Sequence, residues 1–265
     1  ALAVLDRDHD FFVSEVIAIT EVPSPPFKEQ ARGEVYLKML RAVGLRDVER
    51  DPEGNVMGVR RGRTSDNPNG PMVAIVAHLD TVFPEGTPVK VTRTGTRLAA
   101  PGIGDNSRAL AVLLAIIRAM DEAALSTAQD LLFVGSVGEE GLGDLRGIKY
   151  LMRQGKYKDR IKQVIVVDGS DRGHQIVNAG VGSKRYRVEF KGPGGHSYVA
   201  FGLVSPAFAM GAAIQKLAAI PVPATPKTTF NVGVVGGGTS VNTIPDAMWM
   251  EVDMRSEARA ELESL

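Results

Sequence analysis

The chain has 265 residues, 44% apolar and 23% charged, with 31 basic and 31 acidic side chains and a net charge of zero. That length and balance suit one large or two ordinary domains of a globular protein, and they point away from nucleic acid and from an anionic membrane surface as partners. Cysteine is absent, so disulfides and thiolate ligands are excluded and any metal must sit on His, Asp or Glu.

No apolar run reaches membrane-spanning length. The opening residues, ALAVLDRDHD, lack the basic region and long apolar core of a secretory signal, so the cytoplasm is the default location. Residues 8–20 carry apolar residues at helical spacing with an acidic first turn, and His9 reads as a helix-start residue. Residues 21–26, EVPSPP, form a rigid break, and residues 28–43 predict a second amphipathic helix ended by Gly44. A short strand over 56–60 and a polar loop over 62–70 lead to MVAIVAHLD at 72–80. Six of its first seven residues are apolar, the pattern of a strand buried on both faces. A hairpin is expected over 89–98 around Thr94-Gly95-Thr96, then a Gly/Pro loop over 100–104. Residues 107–120 are apolar nearly all round and predict a buried helix. Buried strands follow over 131–137 and 164–167, with a short helix over 148–154 between them. Alternating strands and helices argue for an α/β sheet with helices on both faces.

The texture changes near residue 180. A half-exposed strand over 183–191, a helix rich in small residues over 204–219, a loop over 221–226, strands over 228–235 and 247–254, and a helix beginning at 257 give the order β-α-β-β-α. That order resembles a ferredoxin-like unit without its last strand. The expected division is therefore 1–180 and 181–265, with a hinge permitted at Gly180-Val181-Gly182. Met248, Trp249 and Met250 read as strand packing, and His174 as part of a surface turn.

The apolar strands of the first part run into acidic or imidazole residues. His78 and Asp80, two apart in an extended segment, emerge on one side at the strand's carboxyl end, where open α/β sheets place their sites. Asp105 lies just before the buried helix, Glu139 and Glu140 follow the next strand, and Asp168 ends the third. Singly these residues fit a polar turn, a helix N-cap or a solvated surface as well as a site. Their repetition at strand ends, flanked by Gly102, Gly104, Gly138, Gly141 and Gly169, with only four histidines in the chain, favours a paired metal site. Imidazole and carboxylate donors suit Zn²⁺, Mn²⁺ or Co²⁺. A paired site needs one bridging carboxylate and another left free as base, and Glu139 and Glu140 can split such roles.

HLDT, GDNS, GEEGLGD and VVDGSD, with GPGGHS and GGTSVNTIPD further on, resemble the family of di-zinc exopeptidases and deacylases. That family includes tripeptidase T, carboxypeptidase G, acetylornithine deacetylase and succinyl-diaminopimelate desuccinylase. GEEGLGDLRG is most similar to the tripeptidase T-like branch. The resemblance implies two Zn²⁺ ions, with Mn²⁺ or Co²⁺ as substitutes. It implies that His78 and Asp168 bind the first metal, that Asp80 orients the ring of His78, and that Asp105 bridges to the second metal, bound by Glu140. Glu139 would be the general base acting on a metal-bound hydroxide, and the Asp105-Asn106 peptide would be cis. The first domain would be a zinc-exopeptidase-like catalytic domain with a mixed sheet. The second would be a ferredoxin-like dimerisation or lid domain, in a homodimer. His196 would reach the partner subunit's site and polarise the scissile carbonyl, and Asn242 would contact the substrate. Arg255 suits either a substrate carboxylate or a structural ion pair.

The family's second metal takes a further histidine near the chain's end, and none lies beyond His196. The chain is therefore expected to be C-terminally incomplete, with apolar surface exposed where the missing segment packs. The expected function is metal-dependent hydrolysis of the terminal amide bond of short peptides, with N-acyl amino acid deacylation as the alternative within the family. A truncated, non-catalytic binding or assembly module is the reading from another class.

Overall fold

A strand apolar on both faces needs cover on both sides, and the fold supplies it. The computed structural model describes residues 1–63, 67, 69–169 and 175–265. It consists of two units, Ala1–His174 and Gln175–Leu265. The surface turn expected at His174 and residues 64–66 and 68 of the loop before MVAIVAHLD lie outside the described residues.

The first unit begins with a helix that hydropathy spacing did not reveal. Helices α1 (Leu2–Arg7) and α2 (His9–Thr20) meet at Asp8, where ψ of 15° interrupts the helical path. Helix α3 (Gln30–Ala42) follows the proline break, and Gly44, at φ +84°, stands just beyond it. A strand absent from the sequence reading comes next: β1 (Arg46–Arg50), RDVER, is polar because it lies at a sheet edge. Strands β2 (Val56–Arg60) and β3 (Met72–His78) form where expected. The hairpin is β4 (Thr92–Thr94) with β5 (Arg97–Ala99), turning through Gly95 at φ +60°. Then come α4 (Arg108–Glu122), β6 (Asp130–Ser136), α5 (Arg146–Arg153) and β7 (Ile161–Val166).

The five-stranded sheet runs β1-β2-β6-β3-β7. β2 pairs antiparallel with β1 and β6, whereas β3 pairs parallel with β6 and β7, so the sheet is mixed. Alternation along the strands sorts two cores. Ile75 and Ala77 of β3 join Leu131 and Phe133 of β6 against α2, α3 and α4. Met72, Ala74 and Val76 join Leu132 and Val134 on the opposite face, under Leu151 of α5. One expectation is corrected. Residues 164–167 were read as a buried strand, but Val164, Ile165 and Val166 are 42%, 54% and 61% exposed. The reason is position: among the described residues β7 pairs with β3 alone and forms the sheet's edge.

The second unit contains β8 (Gly182–Lys191), β9 (Gly195–His196), α6 (Pro206–Ala218), β10 (Thr228–Gly237), β11 (Thr243–Ile244), β12 (Ala247–Ser256) and α7 (Arg259–Ser264). Its main sheet is antiparallel, in the order β10-β12-β8. Met250 and Val252 pack with Val188, Phe190 and Val232 under Met210, Ile214 and Leu217 of α6. Met248 joins them as expected, but Trp249 does not. One residue along a strand points to the other face, so the indole lies across Gly236, with the Arg187 guanidinium 3.8 Å above its ring. Among the described residues, no helix is long and apolar enough to cross a membrane.

Candidate metal centre

β6, β3 and β7 are parallel neighbours, so the segments leaving their carboxyl ends meet at one edge of the sheet. His78 is the last residue of β3 and is buried. Its Nδ1 lies 2.9 Å from the backbone carbonyl of Asp80. A carbonyl only accepts, so Nδ1 carries a proton and Nε2 is the nitrogen left to face the site. Nε2 lies 2.9 Å from Asp105 Oδ1 and 3.6 Å from Asp168 Oδ1. Burial opposes a charge on the ring, but hydrogen bonding to Asp105, Asp168 and Asp80 outweighs it and pushes His78 up to about 12.

Asp80 is fully buried beside the His78 ring. Its backbone carbonyl orients the imidazole, while its carboxylate Oδ1 is 3.6 Å from Nδ1. The carboxylate also accepts the backbone N–H groups of Glu139, at 3.0 Å, and Glu140, at 2.8 Å. Burial alone would raise the Asp80 carboxyl. Hydrogen bonds from His78 and those two amides hold it below its ordinary range. One buried carboxylate thus ties the turn after β3 to the loop after β6. That loop starts at Gly138, at φ +63°, where a Cβ would meet Arg146 Cγ at 2.5 Å.

Asp105 sits in the irregular turn Ile103–Ser107 that opens α4, and its peptide bond to Asn106 is cis, as the resemblance implied. The same turn fastens Asp168. Asn106 Nδ2 donates to the Val167 carbonyl at 3.1 Å, and Arg108 Nη2 donates to the Gly169 carbonyl at 2.9 Å. Hydrogen bonding to His78 lowers the Asp168 carboxyl despite burial. On the opposite side burial raises Glu139. Glu140 rises to about 7, through burial first and then the charges of Asp105 and Glu139.

Two groups of possible donors result, His78 with Asp105 and Asp168, and His78 with Glu139 and Glu140, each with ligand atoms within 4.8 Å of one another. This donor set fits a divalent cation. Carboxylates crowded around one imidazole need positive charge among them, and nitrogen and oxygen donors without thiolate suit Zn²⁺, Mn²⁺ or Co²⁺.

Of the residues singled out from the sequence, His78, Asp80, Asp105, Glu139, Glu140 and Asp168 converge here. His196 and Asn242 belong to the second unit, where they are neighbours. Thr243 pairs with His196 across β9 and β11, and Ser197 N–H donates to the Asn242 carbonyl at 2.9 Å. His196 Nδ1 accepts the Tyr198 N–H at 3.3 Å, so Nε2 carries the ring proton. Arg255 lies on the outer face of β12, with Nε 2.8 Å from Asp253 Oδ2. That is the structural ion pair, the second of the two readings considered for it. Sequence reasoning missed Arg32, whose buried guanidinium lies behind the His78 turn. The signal was present: Arg32 falls in helical phase with Tyr36 and Leu40 on the buried face of α3.

The family model for peptidase family M20/M25/M40 matches residues 74–260. The chain therefore belongs to peptidase family M20/M25/M40. Among solved structures it is similar to an aminopeptidase PepT from Bacillus cereus, at 24% identity and TM-score 0.68, over 96% of this chain and 68% of that one. It is similar to the dipeptidase Dug1p from Saccharomyces cerevisiae, at 13% identity and TM-score 0.74, over 99% and 73%. A dinuclear metal-binding M20 peptidase from Bacillus subtilis matches at 16% identity and TM-score 0.63, over 98% and 67%. No curated protein sequence matches the chain.

Proposed function

We propose that the protein is a metal-dependent exopeptidase that hydrolyses the terminal amide bond of short peptides. The observation that carries this reading is the convergence of Asp105, Asp168, Glu139 and Glu140 around the Nε2 side of one buried histidine. The names of the structural neighbours, an aminopeptidase and a dipeptidase, support it. In this reading His78, Asp105, Asp168 and Glu140 would hold the divalent ions. Zn²⁺ is the first choice, with Mn²⁺ and Co²⁺ as substitutes. Bound there, the metals would supply Lewis acidity and bring the pKa of water toward neutrality.

The chain's own residues account for the proton traffic. Glu139 is held to Asp80 by its backbone N–H, and among the described residues no hydrogen bond ties up its carboxyl, which is left to move a proton. It takes one from the attacking water and delivers it to the leaving amine nitrogen. The water oxygen bonds to the carbonyl carbon, the C–N bond breaks, and a carboxylic acid and an amine result, the acid's proton passing on to give carboxylate and ammonium. Burial raises this carboxyl, which suits a group that must hold the proton between the two steps. His196 of the partner subunit offers Nε2–H to the carbonyl oxygen as charge develops there, with Asn242 beside it. The residues that follow His196, with Tyr198, Val199 and Phe201 all over 80% exposed, support a subunit contact in a homodimer. A cytoplasmic setting belongs to the same reading.

Metal content and hydrolysis measured together test this. Zn²⁺-loaded protein is given di- and tripeptides and, in parallel, N-acyl amino acids. Turnover of the peptides alone supports the exopeptidase. Turnover of the acylated amino acids alone moves the reading to a deacylase. Loaded protein inert on both sets overturns hydrolysis.

A further inference from the structure

The side chain behind the metal centre that the mechanism leaves unused is Arg32. It projects from the buried face of α3 and is 0% exposed. Among the described residues it forms no ion pair; its hydrogen bonds go to three backbone carbonyls. Nη1 donates to Leu79 at 2.8 Å, Nε to Val22 at 3.0 Å and Nη2 to Thr20 at 3.4 Å. Thr20 ends α2, where helix carbonyls lack partners of their own. Leu79 stands between His78 and Asp80.

We propose that Arg32 is a positioning residue for the metal centre, its guanidinium fork pinning the Leu79 carbonyl and so the turn that aims His78 and Asp80. This rests on the metal-centre reading above and adds to it a residue outside the ligand set. The peptide that follows the pinned carbonyl leads into Asp80. Its carbonyl receives His78 Nδ1, and its carboxylate receives the amides of Glu139 and Glu140. The turn is also held by Leu79 N–H to the Ser136 carbonyl at 2.7 Å and by Thr81, whose N–H and Oγ1 donate to the Ser24 carbonyl at 3.0 and 3.3 Å. At the Leu79 carbonyl the turn is held from α3, by the Arg32 side chain. A planar fork can serve three carbonyls at fixed angles, whereas an ammonium on a flexible stem cannot. The guanidinium also sets a buried positive charge beside Asp80, opposite the anionic cluster.

Groups that orient metal ligands from behind typically change metal affinity or activity by about 10–100-fold. The test uses full-length protein, Co²⁺ as the probe, its dissociation constant from competition with a chelator, and its visible absorption spectrum. Arg32→Lys keeps the charge and loses the fork. It should weaken Co²⁺ binding by about tenfold or more and alter the spectrum, with circular dichroism unchanged. Arg32→Gln, which keeps a single donor group, is the second variant and should weaken it at least as much. Arg118→Met is the control for general destabilisation, because it breaks the ion pair with Glu15 between α4 and α2. Wild-type affinity and spectrum in Arg32→Lys overturn the proposal, as does an equal loss in Arg118→Met. Unaltered protein that takes up no Co²⁺ overturns the metal reading itself, and this inference with it.

Discussion

The two sheets of this chain use the same alternation to opposite ends. In the first unit β6 is buried along its whole length, and each step along β3 or β6 moves a side chain from one apolar core to the other. In the second unit β12 alternates between the core under α6 and a charged outer face carrying Trp249, Glu251, Asp253 and Arg255. A strand buried on both faces has no room for polar side chains except at its end. The chemistry of the first unit therefore collects at one edge, where helix and loop backbones can grip it. The outer face of the second sheet spreads its charges in cross-strand pairs, which bring no group to a focus.

The contrast is broken most severely at Glu139. Glu139→Gln should keep its backbone bond to Asp80 and the metal, while hydrolysis falls by about 10²–10⁴-fold. Steady-state rates alongside metal content per chain check this, and a variant retaining full activity removes Glu139 from the role of base. His196→Ala is the corresponding change in the second unit. It should lower kcat by about 10²–10³-fold, as loss of an oxyanion donor does, with metal content unchanged. Loss of metal together with activity would instead place His196 among the ligands.

Packing sharpens the same comparison. Phe133 of β6 is completely buried, and Phe133→Ala should destabilise its unit by about 3–5 kcal/mol. Val252 of β12 is buried on one face only, and Val252→Ala removes two methyl groups, for about 2 kcal/mol. Denaturant unfolding followed by probes in each unit measures both. Equal losses would mean that the two sheets do not differ as their burial indicates.

What the sequence made legible follows from this division. Strands apolar on two faces are legible in MVAIVAHLD and LLFVGSV, and four residues of the centre, His78, Asp80, Glu139 and Glu140, at or just after their ends. Two features escaped for physical reasons. β1 is polar because it is an edge, so RDVER carried no strand signal. β7 reads as a core strand by composition, and only its place at the sheet edge leaves Val164 to Val166 exposed. Arg32 could have been found, since a charged residue in phase with a buried helical stripe must have partners waiting for it.

The smallest effect is expected at Arg255, and it separates the two faces most cleanly. Its side chain is half exposed, and Asp253 is also paired with Arg185 from β8. Exposed pairs of this kind contribute about 0–1 kcal/mol, because solvent screens them and ordering two long side chains opposes them. Asp253 keeps a partner when Arg255 is removed, so Arg255→Met should change unfolding free energy by less than about 1 kcal/mol. Its Nε is already engaged, so KM for a peptide with a free carboxyl terminus should stay within about twofold of wild type if no substrate carboxylate meets this side chain. A tenfold rise in KM at unchanged kcat, about 1.4 kcal/mol, would mean that Arg255 leaves Asp253 to bind substrate. The outer face of the second sheet would then be part of the site.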